Sequence, residues 1–453
     1  ALPRGRQGLA GAWVAGSHLA AAALAGAVWL DRGLMRTMEG TVVVDGLALA
    51  TTGLLGVAGA VCVAMARPVV AGTDREGEFY AVLGATTLAA AVLAHAADVA
   101  LIAISLGLLS LGSFILTGYL RGARRANEAS LKYYIYGTVS GATMVYGFSW
   151  WFGLAGGTGL RTIGEGLAQA PTGAVVASTA LVVVGLGYKA ALVPFHFWTP
   201  DVYDGAPVPV AAYLSVLPKI AGLVALARVL PSALPDDLVG WTTAMAVVAA
   251  ITMIVGTLAA IAQTSVVRLL AYSSIAQSGF LLMGVAALEG SERALPALLF
   301  YAFAYAAANL AAFAVVLAVQ RARGSVDVSA FAGLGRSHPW WTAALVLSLL
   351  SLFGLPPLAG FVAKLEVFSA AIDAGQAWLA VVGIAMTVVS LYPYLRVIAP
   401  AVLAPAPDSP RAPRPRTAHA LAAALGVTAV ATVVVGIGAE PFLSLAEQAR
   451  AMR

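Results

Sequence analysis

The chain has 453 residues, of which 60% are hydrophobic and only 10% charged. A soluble domain of this size needs far more charge to cover its surface, so a water-soluble enzyme is excluded. The net charge of +5 is modest, and no basic patch interleaved with aromatics marks a nucleic-acid partner.

Apolar runs long enough to cross a hydrocarbon core of about 30 Å recur from end to end. Windows of about twenty residues give about thirteen spans. They cover 9–30, 42–66, 79–97, 98–119, 130–153, 174–200, 207–230, 241–261, 265–289, 294–319, 340–371, 376–402 and 418–446. The pattern is that of an all-α polytopic membrane protein, with residues 1–453 forming a single membrane domain. Only a tight turn near His95 to Asp98 divides the third span from the fourth. The chain begins at Ala1 and shows no signal peptide, so some N-terminal sequence is expected to be missing. Its single cysteine, Cys62, sits in an apolar run, and no Cys/His spacing suits a metal or haem.

The arginines orient the spans. Fourteen fall on the side of the chain's N-terminus, among them Arg4, Arg6, Arg121, Arg268, Arg411, Arg414 and Arg416. Seven fall on the other, including Arg32, Arg228 and Arg453, and Arg396 lies within a span. The positive-inside rule then puts Ala1 in the cytoplasm and the C-terminus outside. Pro405 to Pro415 reads as a Pro- and Arg-rich cytoplasmic loop.

Two spans are irregular. Ala174 to Pro200 carries Gly185, Gly187 and Pro194. Trp340 to Ala371 carries Gly354, Pro356, Pro357 and Gly360. As one straight helix the second would run about 48 Å, longer than the bilayer core. Each reads as two half-helices around an unwound middle. Each is also the fourth of five spans, in groups at about 79–230 and 241–402. Five is odd, so the second group starts on the opposite face: two inverted five-helix repeats, each with a broken helix, and function expected at the breaks.

Of twenty-six basic residues only four are lysines: Lys132, Lys189, Lys219 and Lys364. A bias toward arginine codons explains why the loops lack lysine. It does not explain why Lys189, Lys219 and Lys364 survive inside apolar spans, where a charge costs roughly 2.5–3.5 kcal/mol on insertion scales. Lysine can give up its proton when desolvated, whereas arginine stays charged. These three are therefore candidate proton carriers. Lys189 and Lys364 are expected in equivalent places beside the two breaks.

His196 follows Lys189 by seven residues, two turns along the same face if the helix continues. It suits a proton relay, or else a donor to a backbone carbonyl at the break. Glu128 and Lys132 form an i,i+4 pair at the cytoplasmic mouth of the fifth span, serving either proton entry or helix stability. Asp201 and Asp204 are either proton collectors or solvated loop acids. Glu366 is two residues from Lys364 and so faces elsewhere.

Several segments resemble one family. They are Asn127 to Tyr134 (NEASLKYY), Gly187-Tyr188-Lys189 followed by Val193 to Pro207 (VPFHFWTPDVYDGAP), Leu269 to Ile275 (LLAYSSI), and Gly354 to Phe361 (GLPPLAGF) with Lys364. Together they resemble the antiporter-like N subunit of proton-pumping NADH:quinone oxidoreductase, respiratory complex I. The B subunit of its cyanobacterial and chloroplast photosynthetic relative is similar too, especially around Gly147 to Trp150. The resemblance implies a fourteen-span fold in a bacterial inner membrane, with no cofactor on this chain. Flavin, iron–sulfur clusters and quinone are implied in partner subunits. The implied partners are further antiporter-like subunits and small membrane subunits of the same arm. Lys189, Lys219 and Lys364 match the family's central lysines, and Glu128 and Lys132 match a charged pair of its pattern.

One departure stands out. Where the family has a glutamate paired with the first broken-helix lysine, this chain has Gly107, and Asp98 lies near the opposite helical face. Proton transfer through the first half is then expected to differ or to be impaired. Two alternatives accompany the pump reading: a stand-alone Mrp-type cation/proton antiporter subunit, and a structural membrane-arm subunit with impaired transport.

Overall fold

Helices form wherever the sequence offers an uninterrupted apolar run, and they end at polar caps, glycines and prolines. The computed structural model describes residues 7–31, 35–120, 123–235, 240–405 and 419–451. Arg4, Arg6, Arg32, Arg121, Arg411, Arg414, Arg416, Arg453 and most of the loop Pro405 to Pro415 lie outside the described residues.

The first part of the chain forms α1 (Gln7–Leu30), a small antiparallel hairpin of β1 (Met35–Thr37) and β2 (Val42–Val44), α2 (Gly46–Val70), α3 (Glu76–His95) and α4 (Val99–Thr117). Next come α5 (Arg124–Ala155), the short α6 (Leu160–Leu167), α7 (Thr172–Ala190), α8 (Trp198–Gly205) and α9 (Val208–Ala233). The second part holds α10 (Trp241–Ile261), α11 (Val266–Ala286), α12 (Ala294–Arg323), the one-turn α13 (Leu334–Ser337), α14 (Pro339–Phe353), α15 (Ala359–Asp373) and α16 (Ala377–Leu403). Helices α17 (His419–Ile437) and α18 (Ala439–Ala451) close the chain. Among the described residues, 11 helices are long and apolar enough to cross a membrane. Helix α5 has the length but a charged first third, and α14 and α15 have 15 residues each.

The expected turn between the third and fourth spans is present, and chemistry explains its sharpness. Asp98 caps α4, its carboxylate accepting from Ala100 N (2.8 Å) and Leu101 N (3.2 Å). Asp45 caps α2 in the same way through Ala48 N, and Ser265 caps α11.

The α3–α4 turn and the equally short α10–α11 turn are each clipped to a distant linker by a pair of backbone hydrogen bonds. Val99 N donates to Thr158 O and Leu160 N to Ala97 O, both at 2.9 Å. Val266 N donates to Val326 O and Val328 N to Thr264 O, again at 2.9 Å. The first clip joins the start of α4 to the residues after α5. The second joins the start of α11 to the residues after α12.

Helix α9 is the inner column. Its apolar run is wholly buried against α2, α3, α7, α11 and α12. Toward its end Arg228 makes a two-pronged ion pair with Asp45 at 2.7 and 2.8 Å, and its guanidinium also donates to Ala94 O. Both partners are buried, so α9 is locked to the start of α2 and the end of α3. By contrast α1 packs on α2 and α3 along one side only, and few of its residues are fully buried.

Both irregular spans are broken. Helix α7 ends with Ala191 at φ 59° and Leu192 N donating back to Gly187 O at 2.9 Å. Helix α14 ends with Gly354 at φ 97° and Leu355 N donating back to Leu350 O at 3.0 Å. This left-handed cap satisfies carbonyls that would otherwise be orphaned in the interior. At the second site glycine meets the positive φ without strain.

The all-helical reading holds, with one small β1–β2 hairpin before α2. Two sequence expectations change. The last span, 418–446, is not one continuous helix, because Gly438 divides it into α17 and α18. His196 does not continue the face of Lys189, because the left-handed residue Ala191 ends α7 and leaves His196 in the unwound segment.

Candidate functional site

Lys189, Lys219 and Lys364 are 0%, 0% and 4% exposed, so all three are buried inside the protein. Their positions relative to the breaks differ from the expected equivalence. Lys189 is the penultimate residue of the half-helix before the first break. Lys364 is six residues into the half-helix after the second.

Lys189 sits among aromatic rings. Its Nζ lies 5.4 Å from the Tyr133 ring centre, 5.9 Å from that of Tyr188, and 3.5 Å from Tyr133 Oη. Tyr133 is fixed by stacking on Trp198 at 4.4 Å, and Trp198 Nε1 donates to Tyr188 O at 3.1 Å. Such rings hold an ammonium group through their electron-rich faces. No ion pair reaches Lys189 among the described residues. Gly107 lies on an exposed face of α4 with nothing within 4 Å of where a Cβ would stand. The carboxylate of Asp98 is occupied as a helix cap.

Lys219 is one helix away: Gly222, a turn further along α9, faces the Cβ of Lys189. The Lys219 ammonium donates to Ser274 Oγ on α11. Tyr305 Oη lies 3.0 Å from the same hydroxyl and 2.8 Å from Ser215 O, and Asn309 Nδ2 donates to Ser215 Oγ at 2.5 Å. The Tyr203 ring centre is 5.6 Å from Nζ. His196 Nδ1, Thr199 Oγ1 and Tyr203 Oη recur at three- and four-residue steps through the break and α8, buried and without a protein partner among the described residues.

Lys364 Nζ donates to Phe353 O (2.7 Å) at the end of α14 and to Thr387 Oγ1 (3.1 Å) on α16, over the ring of Phe280 at 4.5 Å. Glu366 takes no part, as its spacing implied. All three lysines therefore rest on neutral oxygens and rings.

Lys132 belongs to a second, half-exposed cluster. Its ammonium is 3.0 Å from Glu128 and 2.8 Å from Asp201, and Asp201 is 3.1 Å from Arg268 Nη1. The i,i+4 pair is present, but Asp201 is more than a solvated loop acid, since it joins α5, α8 and α11. Asp204 accepts from Ser265 Oγ at 3.3 Å.

Sequence reading missed Ser274, Gln277, Tyr301, Tyr305 and Thr387. A signal existed on α11, where Ser273, Ser274, Gln277 and Ser278 place two i,i+4 polar pairs in an apolar run.

The family described as NADH:quinone oxidoreductase/Mrp antiporter, transmembrane, matches residues 96–390. An NADH-quinone oxidoreductase subunit N 1 from Streptomyces griseus is 41% identical over 402 residues, covering 89% of this chain and 84% of that one. Among solved structures, a chain of respiratory complex I from Thermus thermophilus superposes with a TM-score of 0.81 at 33% identity, covering 96% of this chain and 95% of the other. A chain of the Mrp complex from Dietzia sp. DQ12-45-1b shares the fold, with a TM-score of 0.88 at 23% identity and coverage of 98% and 92%. This chain belongs to the NADH:quinone oxidoreductase/Mrp antiporter transmembrane family, in which its most similar curated relatives include N subunits.

Proposed function

We propose that this chain is the N-type membrane-arm subunit of a respiratory NADH:quinone oxidoreductase and carries protons through Lys189, Lys219 and Lys364 while quinone is reduced in other subunits. The observation behind this reading is the burial of three lysines on neutral partners, on α7, α9 and α15. Glu128, Lys132 and Asp201 form the entry cluster at the rim, and His196, in the unwound segment after α7, serves as a relay. Flavin, iron–sulfur clusters and quinone belong to partner subunits, and further antiporter-like and small membrane subunits flank this one. The N-terminus of the chain faces the cytoplasm of a bacterium.

The repeat reading, 79–230 against 241–402, draws support from the two backbone clips and the two left-handed breaks, which recur in the same order. Adding α5 and the α14–α15 pair to the 11 apolar helices makes thirteen crossings. Five crossings separate the two clips, which puts them on opposite faces, as inversion requires.

The test is Lys364→Ala in the assembled complex in proteoliposomes. NADH-driven proton uptake should fall severalfold while electron entry into the peripheral arm is unchanged. Undiminished pumping would leave only the structural role. A stand-alone antiporter would instead move protons on a cation gradient without NADH.

A further inference from the structure

Helix α12 runs through the interior, yet one flank of it is open. From Ala294 to Val319 only Phe303 and Ala307, one turn apart, are not buried. The opposite side is engaged, since Tyr301 and Tyr305 hydrogen-bond to Gln277 and Ser274 on α11. Phe303 instead lines a groove of about 590 Å³ whose other walls are α1, α2 and α18. Every side chain along it is apolar except for the indole nitrogen of Trp29. Near its end that nitrogen donates to Gln448 Oε1 at 3.4 Å and ties α1 to α18.

The glycines in these walls have no packing partner. At Gly56 and Gly59 of α2 a Cβ would stand 2.5 Å from His18 O and 3.1 Å from His18 Nδ1, so those two let α1 come close. At Gly26 on α1 and Gly53 on α2, both in the groove, nothing lies within 4 Å of where a Cβ would stand. Helix α1 is also two-sided. Ala22 and Gly26 line the groove, while Leu24 and Val28 lie exposed outside it.

Size and chemistry decide what fits. An apolar hollow of this kind does not hold water, and left empty its walls would forfeit dispersion contacts. A helix of a neighbouring protein is too bulky: about 10 Å across, it displaces about 1,200 Å³ over a length of about 15 Å. The groove follows α1 from Ala22 to Leu30, eight rises of about 1.5 Å or about 12 Å in all. That is close to the roughly 15 Å of hydrocarbon in one leaflet. Its polar end carries a tryptophan, which favours the level of the lipid headgroups.

We propose that this groove is a phospholipid site: one acyl chain, from the leaflet at the Trp29 end, lies between α1 and α12 and fastens α1 to the bundle. Because the walls are apolar, the site selects a chain and not a particular headgroup. It is independent of what the lysines do.

The test is photolabelling of the assembled complex in phosphatidylethanolamine vesicles doped with a phosphatidylglycerol that carries a diazirine midway along one acyl chain. Peptide mass spectrometry maps the adducts at Phe303, inside the groove, and at Val28, on the outer side of α1. Both should be labelled in the native chain. Gly26→Leu and Gly53→Leu each put a side chain into the open space, and each should lower labelling at Phe303 about tenfold while Val28 is unchanged. Lys364→Ala should label as the native chain does. Equal labelling of Phe303 in native and filled chains would overturn the site. So would a native chain labelled at Val28 and not at Phe303, the result expected where a neighbouring protein covers the groove. Stronger labelling of Phe303 by a diazirine-bearing prenylquinone would overturn the phospholipid as occupant. Gly26 lies on an exposed side of α1, so Gly26→Leu decides alone if Gly53→Leu fails to assemble.

Discussion

Arg228 and Asp45 provide a stringent test of what holds the inner column in place. Their two short bonds, at 2.7 and 2.8 Å, lie where both side chains are more than nine-tenths buried. Asp45→Asn keeps the cap on α2, since asparagine caps as well as aspartate, but removes the charge. The guanidinium is then stranded beside Ala94 O, at a cost of about 3–5 kcal/mol. Arg228→Met strands the carboxylate in turn, with a similar loss. The double variant Asp45→Asn/Arg228→Met leaves no buried charge and fills most of the space, so it should recover most of the stability and can match the native chain. The coupling between the sites is then roughly 3 kcal/mol or more, far above the few tenths expected of independent positions. The assay is equilibrium unfolding of the purified chain in mixed micelles, followed by circular dichroism. Additive losses in the double variant would refute the view that pairing, and not the shape of each side chain, carries this contact.

Two further outcomes follow from glycines. At Gly436 on α17 an added Cβ would stand 2.4 Å from Pro357 O and from Ala359 N, so Gly436→Ala should force α17 off the second break. The expected loss is about 1–3 kcal/mol of stability together with reduced pumping; melting and proteoliposome assays on the same preparation check both. At Gly107 nothing stands in the way. Gly107→Ala should therefore raise the stability of the isolated chain, by up to about 1 kcal/mol from helix propensity. A fall in complex yield despite a stable chain would show that a neighbouring subunit packs against that face of α4.

The helices were legible because hydropathy and length are local properties, and the breaks because Gly354, Pro356 and Pro194 punctuate their runs. Burial of the lysines followed from the cost of charge in lipid. What sequence did not disclose depends on three-dimensional proximity. The role of Asp201 needs α5, α8 and α11 to meet, and no spacing along one segment encodes that. Ser274, Tyr301 and Tyr305 look like ordinary packing residues until the lysines and the break are placed beside them. Spacing puts His196 on the face of Lys189 only where the helix continues, and one left-handed residue, Ala191, undoes that periodicity. That conformation is uncommon for alanine, and the sequence gives no sign of it.

The two backbone clips have a mechanical consequence. Each ties the head of a two-helix block to its tail: α4 and α5 in one block, α11 and α12 in the other. The broken helix and its successor lie outside the staple in both cases. The bundle is thus two braced frames and two struts. Lys189 and Lys219 ride on the first strut, Lys364 rides on the second, and Ser274, Tyr133 and Phe280 are bolted to the frames. A strut sliding by an ångström or two against its frame would make or break the contacts of Lys189 with Tyr133 and of Lys219 with Ser274 while both frames kept their shape.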